Sequence, residues 1–251
     1  MTQRVSRLGI ETWGQGVYGA MRVLLHFIAA TQFWYACYYD WHFVKVPQSV
    51  HRMGNPFGGK FKYLTFLDAI LQALYFTICV LNDFVGSNEV NLKQKPFIRK
   101  LKDYMMAAFA FPVAMHVGVT FWTLMAIDRE LVFPKSFDAF FPNWLNHVMH
   151  TNIMIFILLE MYLTFRQYPS RKSGLTGSLT FMLTYLVWQH IIKHYSGVWV
   201  YPVLDVLNLP QRIIFFSVSF VFSVSLYILG EKINNIMWKN QLKAITNSKS
   251  K

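Results

Sequence analysis

Two imidazoles and an amide stand at the mouth of a long apolar run, in the stretch Trp144-Leu145-Asn146-His147-Val148-Met149-His150-Thr151. On a helix, Asn146 and His150 are four apart and His147 and His150 three apart, so His150 shares a face with both. Lipid cannot solvate such groups, which turns that face inward and makes it a candidate site. Imidazole changes protonation near neutral pH and can act as general base, proton shuttle or metal ligand. The plainer reading is a histidine that meets only interfacial water at a helix entrance. A second polar set, Thr65, Asp68 and Gln72, falls at i, i+3 and i+7 of another apolar run and forms a stripe along one helix face. A carboxylate there needs a partner. Helix-to-helix hydrogen bonding would satisfy Asp68 and Gln72, and Thr65 alone could bond to a backbone carbonyl one turn earlier. A third set, His190 and His194, lies four apart on one side of a further helix.

The elements that must position these residues are membrane spans. The 251 residues are 54% apolar and 18% aromatic, too evenly apolar for a soluble domain with an anchor, and predict a single all-α domain of six transmembrane helices. The spans are expected at about 17–39, 63–84, 104–127, 143–165, 175–195 and 213–229, between a polar N-terminal tail (1–16) and a basic C-terminal tail (231–251). Pro112 should kink or loosen the third span. The fifth, the least apolar, is expected inside the bundle. The net charge of +12 sits in short tracts between apolar runs, where it sets topology and meets headgroups; this argues against nucleic acid as a partner. Alternate segments carry 16 and 8 Lys and Arg, which predicts a multi-pass protein with both termini cytosolic. Charge does not distinguish the endoplasmic reticulum from the plasma membrane, and nothing in the sequence sets the oligomeric state. Cys37 and Cys79 fall toward opposite faces and are not expected to pair.

In that topology spans two and four enter from the same, non-cytosolic face. At 1.5 Å per residue Thr65 lies about 4.5 Å in and His150 about 10 Å in, so one site can hold both. Span five brings His190 and His194 toward the same face. Three functions remain open on the residues alone. One is nucleophilic catalysis, with His150 taking the Thr65 proton. Another is a haem or zinc centre that uses His147 or His150 with His190 and His194. The third is a carrier or channel lined by Thr65, Asp68 and Gln72.

The stretches Gly58 to Asp68, Asp128 to Lys135, Trp144 to Thr151, Gln167 to Arg171 and Gly197 to Pro202 run in order across the chain. In these stretches the chain resembles the androgen-induced protein family, which also includes the androgen-dependent regulator of tissue factor pathway inhibitor. The resemblance implies a six-spanning hydrolase of fatty acid esters of hydroxy fatty acids, with Thr65 as nucleophile, His150 as its histidine and no metal or other cofactor. The substrate would be a lipid ester drawn from the bilayer. Asp68, Gln72, Asn146, His147, His190 and His194 are then expected to support the site, with a backbone amide, Asn146 or His147 as oxyanion donor. The N-terminal tail and the first loop depart from the family pattern.

Overall fold

A computed structural model describes residues 2–54 and 56–249, with side chains placed for 16–52, 54 and 56–247. The described residues form helices and turns, with no strand among them. Six long helices follow one another: α1 (Thr2–Phe43), α2 (Leu64–Val85), α3 (Phe97–Ile127), α4 (143–163), α5 (Arg171–Ser196) and α6 (Leu209–Met237), with a short terminal α7 (Lys239–Lys249). Three of them, α2, α3 and α6, are long and apolar enough to cross a membrane. The polar mouth of α4 and the hydroxyl, amide and imidazole groups of α5 dilute the hydropathy of those two helices. The backbone of α1 is helical from Thr2, so much of the expected N-terminal tail continues the first helix. Helix α3 begins at Phe97, so its first turns come from the basic segment expected to precede a span.

The starts of these helices follow from local chemistry. The Ser170 hydroxyl accepts from the Ser173 N–H at the head of α5, and Asn208 and Gln211 form a reciprocal capping box at the head of α6. Two helices contain a π turn. In α3 it spans Met106–Ala110, immediately ahead of the stretch holding Pro112; in α4 it spans Val148–Asn152 and carries His150. A proline donates no backbone hydrogen bond, which is the local reason for the loosened ladder in α3.

Cross-helix contacts show how the helices run. Arg22 and His26, midway along α1, meet Asp83 near the end of α2, while Asp40, late in α1, pairs with Lys60 just ahead of α2 at 2.8 Å. Arg171 at the start of α5 pairs with Glu231 late in α6 at 2.7 Å. Consecutive helices therefore alternate in direction, and the start of α1 and the end of α6 lie at one end of the bundle. That end is tied by buried charge. Glu160 of α4 accepts from Tyr75 (3.0 Å), Thr164 (2.7 Å) and Arg166 (2.9 Å) and contacts His26 (2.8 Å). Arg99 of α3 bonds Asp103 (2.9 Å) and the carbonyls of Ser87 (2.7 Å) and Phe165 (2.6 Å). Between the ends lies an apolar core that includes Phe33, Tyr75, Phe76, Phe111, Leu145 and Ile153. Cys37 and Cys79 are buried and unbonded to each other.

Candidate active site

At the opposite end, α2 begins under two tyrosines. Tyr63 precedes the helix without a side-chain cap, and the exposed first N–H groups need other partners. The Leu64 N–H donates to the hydroxyls of Tyr185 (3.0 Å) and Tyr201 (2.9 Å), while the Tyr185 hydroxyl donates to the Lys62 carbonyl (3.0 Å). This anchorage sets the first turn of α2, and Thr65 is its second residue.

Thr65 Oγ1 lies 3.3 Å from His150 Nε2. His150 Nδ1 is 2.9 Å from the Asn146 carbonyl oxygen, which only accepts, so the ring proton sits on Nδ1 and Nε2 is left to take the Thr65 proton. Phe121 of α3 stacks on the imidazole with ring centres 3.6 Å apart at 15°. Helix α3 comes this close because of Gly118: a Cβ there would stand 2.5 Å from Met154 Sδ and 2.7 Å from the His150 carbonyl oxygen. Tyr201 lines both cavities beside Thr65, its hydroxyl accepts from the Leu64 N–H, and burial raises its phenol above the ordinary value. Near neutral pH Tyr201 is therefore a protonated donor beside the nucleophile.

Thr65 lines two cavities of about 90 Å³ each. The outer one is walled by Val44, Tyr63, Phe133, Phe141 and His150, with Asp40 and Lys60 in its lining. The inner one lies between α3, α5 and α6 and includes His116, Leu124, Gln189, Phe216 and Ser219. Thr65, Phe121 and Tyr201 line both. The walls are mostly apolar, and each cavity exceeds the roughly 10–15 Å³ one water needs.

The other expected residues divide. Asp68 and Gln72 are fully buried, and Gln72 Nε2 donates to Asp68 Oδ1 (2.8 Å) and to the Ala110 carbonyl (3.0 Å), so they serve helix contact and line neither cavity. Asn146 orients His150 through its backbone carbonyl. The His147 side chain faces outward, bonds Thr151 at 3.2 Å and stacks on Trp122. His190 donates to its own helix at Leu186 (2.8 Å) and packs on Trp199, while His194 packs on Tyr195; both line an outward groove instead of the Thr65 cavities. The histidines of α4 and α5 are not brought together as a metal centre would need. Among the described residues, the His, Cys and carboxylate atoms that do converge are those of His26, Cys79 and Glu160 at the ion-paired end, where Glu160 is already held by Tyr75, Thr164 and Arg166. Tyr185, Tyr201 and Phe121 carried no expected role. Tyr201 does lie in the aromatic stretch Gly197 to Pro202, which was the one signal for it in the sequence.

A family model described as FAR-17a/AIG1-like protein matches residues 21–235. The androgen-induced gene 1 protein of Homo sapiens is 44% identical over 191 residues, covering 74% of this chain and 80% of that protein. The androgen-dependent TFPI-regulating protein of Mus musculus is 41% identical over 184 residues, 72% of this chain and 78% of that one. A UPF0641 membrane protein of Schizosaccharomyces pombe is 25% identical over 175 residues, 69% of this chain and 74% of the relative. No solved structure matches.

Proposed function

As this chain belongs to the FAR-17a/AIG1-like family and is a membrane protein, we propose that it is a six-span, single-domain ester hydrolase acting on lipids within the bilayer, with both termini cytosolic. The observation that carries this reading is the Thr65–His150 pair at 3.3 Å, with Thr65 in the wall of two mostly apolar cavities. Thr65 Oγ1 attacks the ester carbonyl carbon as His150 Nε2 takes its proton. The oxyanion of the tetrahedral intermediate accepts a hydrogen bond from Tyr201, in place of the Asn146 or His147 side chains, neither of which lines a cavity. Collapse of the intermediate breaks the ester C–O bond, and His150 returns the proton to the departing alkoxide. Water then attacks the acyl-threonine while His150 takes a proton from it, and the free acid leaves as Thr65 Oγ1 is reprotonated.

The two cavities favour esters with two slender arms over headgroup-bearing or three-armed lipids. Fatty acid esters of hydroxy fatty acids, the class implied by the family resemblance, have that shape. Phospholipids and triacylglycerols are expected to react little. Wild type and variants in membranes are to be treated with a fluorophosphonate probe and, separately, with a panel of lipid esters. Thr65→Ala and His150→Ala should lose labelling and lower hydrolysis by roughly 10²–10⁴-fold, and Thr65→Ser should keep some activity because its nucleophilic oxygen remains. Full labelling of both alanine variants, or equal release of acid from phospholipids, contradicts the reading.

A further inference from the structure

The inner cavity contains a second polar arrangement, remote from the reacting ester. His116 on α3 is held between two serines of α6, with Ser223 Oγ 3.0 Å from Nδ1 and Ser219 Oγ 3.3 Å from Nε2. The Ser223 hydroxyl donates to the Ser219 carbonyl at 3.0 Å, a group that can only accept. With the Ser223 proton on that carbonyl, His116 Nδ1–H donates to Ser223 Oγ and Nε2 accepts from the Ser219 hydroxyl. With its proton committed, Ser219 Oγ presents only lone pairs to the cavity it lines. Across the same cavity stands Gln189 of α5, only 7% exposed, whose Oε1 has no hydrogen-bond partner. A buried acceptor without a donor is costly, and here two acceptors look into one apolar space.

We propose that the inner cavity is a selectivity subsite for an acyl chain bearing an O–H group, either a hydroxyl along the chain or an un-ionised carboxyl at its end. Ser219 and Gln189 accept the hydrogen bond, and His116 with Ser223 holds Ser219 in the accepting orientation. An ester or ketone oxygen would offer a third acceptor and gain nothing, and an ionised carboxylate would face lone pairs in an apolar wall. This assignment rests on the hydrolase reading for its substrate, with the ester at Thr65 and one arm directed inward. The recognition itself is independent of the chemistry at Thr65.

Two measurements test it. In the first, wild type competes pairs of esters identical except for one group on one arm: a mid-chain hydroxyl with the carboxyl methylated, a free carboxyl without the hydroxyl, or neither. The O–H-bearing member is expected to be preferred by roughly tenfold in kcat/KM, and the preference should fall toward one in Gln189→Leu and in Ser219→Ala. Whichever of the two arms carries the preference identifies the source of the O–H. In the second, Thr65→Ala protein binds ether analogues that cannot be hydrolysed, with and without the O–H group, and the same preference is expected in Kd. Should wild type cleave no ester, the hydrolase reading falls while the ether-binding preference still decides the subsite. Equal binding of O–H-bearing and capped analogues overturns the proposal, as does a preference unchanged in both Gln189→Leu and Ser219→Ala. A probe adduct found on Ser219 in Thr65→Ala protein also overturns it, since Ser219 would then be a second nucleophile.

Discussion

Replacing Tyr201 by Phe removes one hydroxyl and leaves the ring in its packing. If that hydroxyl stabilises the oxyanion, kcat should fall by roughly 10²–10³-fold with KM little changed, because the hydrogen bond strengthens only as charge develops. Steady-state kinetics on one ester decides this, and a rise in KM at constant kcat would make Tyr201 a substrate-binding group instead. At this scale the sequence was informative wherever spacing along one helix determined the outcome. Asn146 and His150, four apart, do meet, but through the Asn146 backbone carbonyl that any residue there would offer and not through its amide. The Thr65, Asp68 and Gln72 stripe was also legible as a stripe, but spacing names a face and is silent on what stands opposite it. Thr65 faces cavities, while Gln72 faces the π turn of α3 and holds Asp68. Tyr185 and Tyr201 were illegible as site residues because their role depends on contacts more than a hundred positions away, at the head of α2.

Among the elements, the contact between α3 and α4 controls the site geometry. Gly118 lets the α3 backbone approach the His150 carbonyl, and the Phe121 ring one turn further covers the imidazole. In Gly118→Ala the added Cβ would stand 2.7 Å from that backbone oxygen, so α4 must move and carry His150 with it. Hydrolysis is expected to drop by roughly 10²-fold, the size of loss that an ångström of misplacement brings, while the protein still inserts. Gly118→Ala protein with wild-type turnover would show that α4 is not positioned by this contact. The helices themselves were largely legible from apolar runs, with α2 found within a residue of its expected limits. The start of α3 was not, because Arg99 and Asp103 read as a cytosolic loop until their buried pairing is seen. The π turn around His150 was equally hidden, since its residues suit an α-helix as well.

For the whole molecule, alternating helices place the N-terminal side of α1 and the end of α6 at the ion-paired end, which is the cytosolic end if the topology proposed above holds. An engineered glycosylation acceptor in the segment 128–142 should be modified in cells, and one appended to either terminus should stay unmodified. The reverse pattern would invert the molecule and place Thr65 near the cytosolic leaflet. The buried charges also make the bundle mechanically unequal along its length. Breaking a buried pair such as Glu160–Arg166 costs about 3–5 kcal/mol, whereas aromatic contacts of the kind that close the Thr65 end are worth about 0.5–1.5 kcal/mol each. On the hydrolase reading, a lipid would then enter at the Thr65 end, with the Glu160 cluster as the fulcrum about which the helix ends part like the tips of tweezers once the Asp40–Lys60 pair and the tyrosine anchorage of α2 yield.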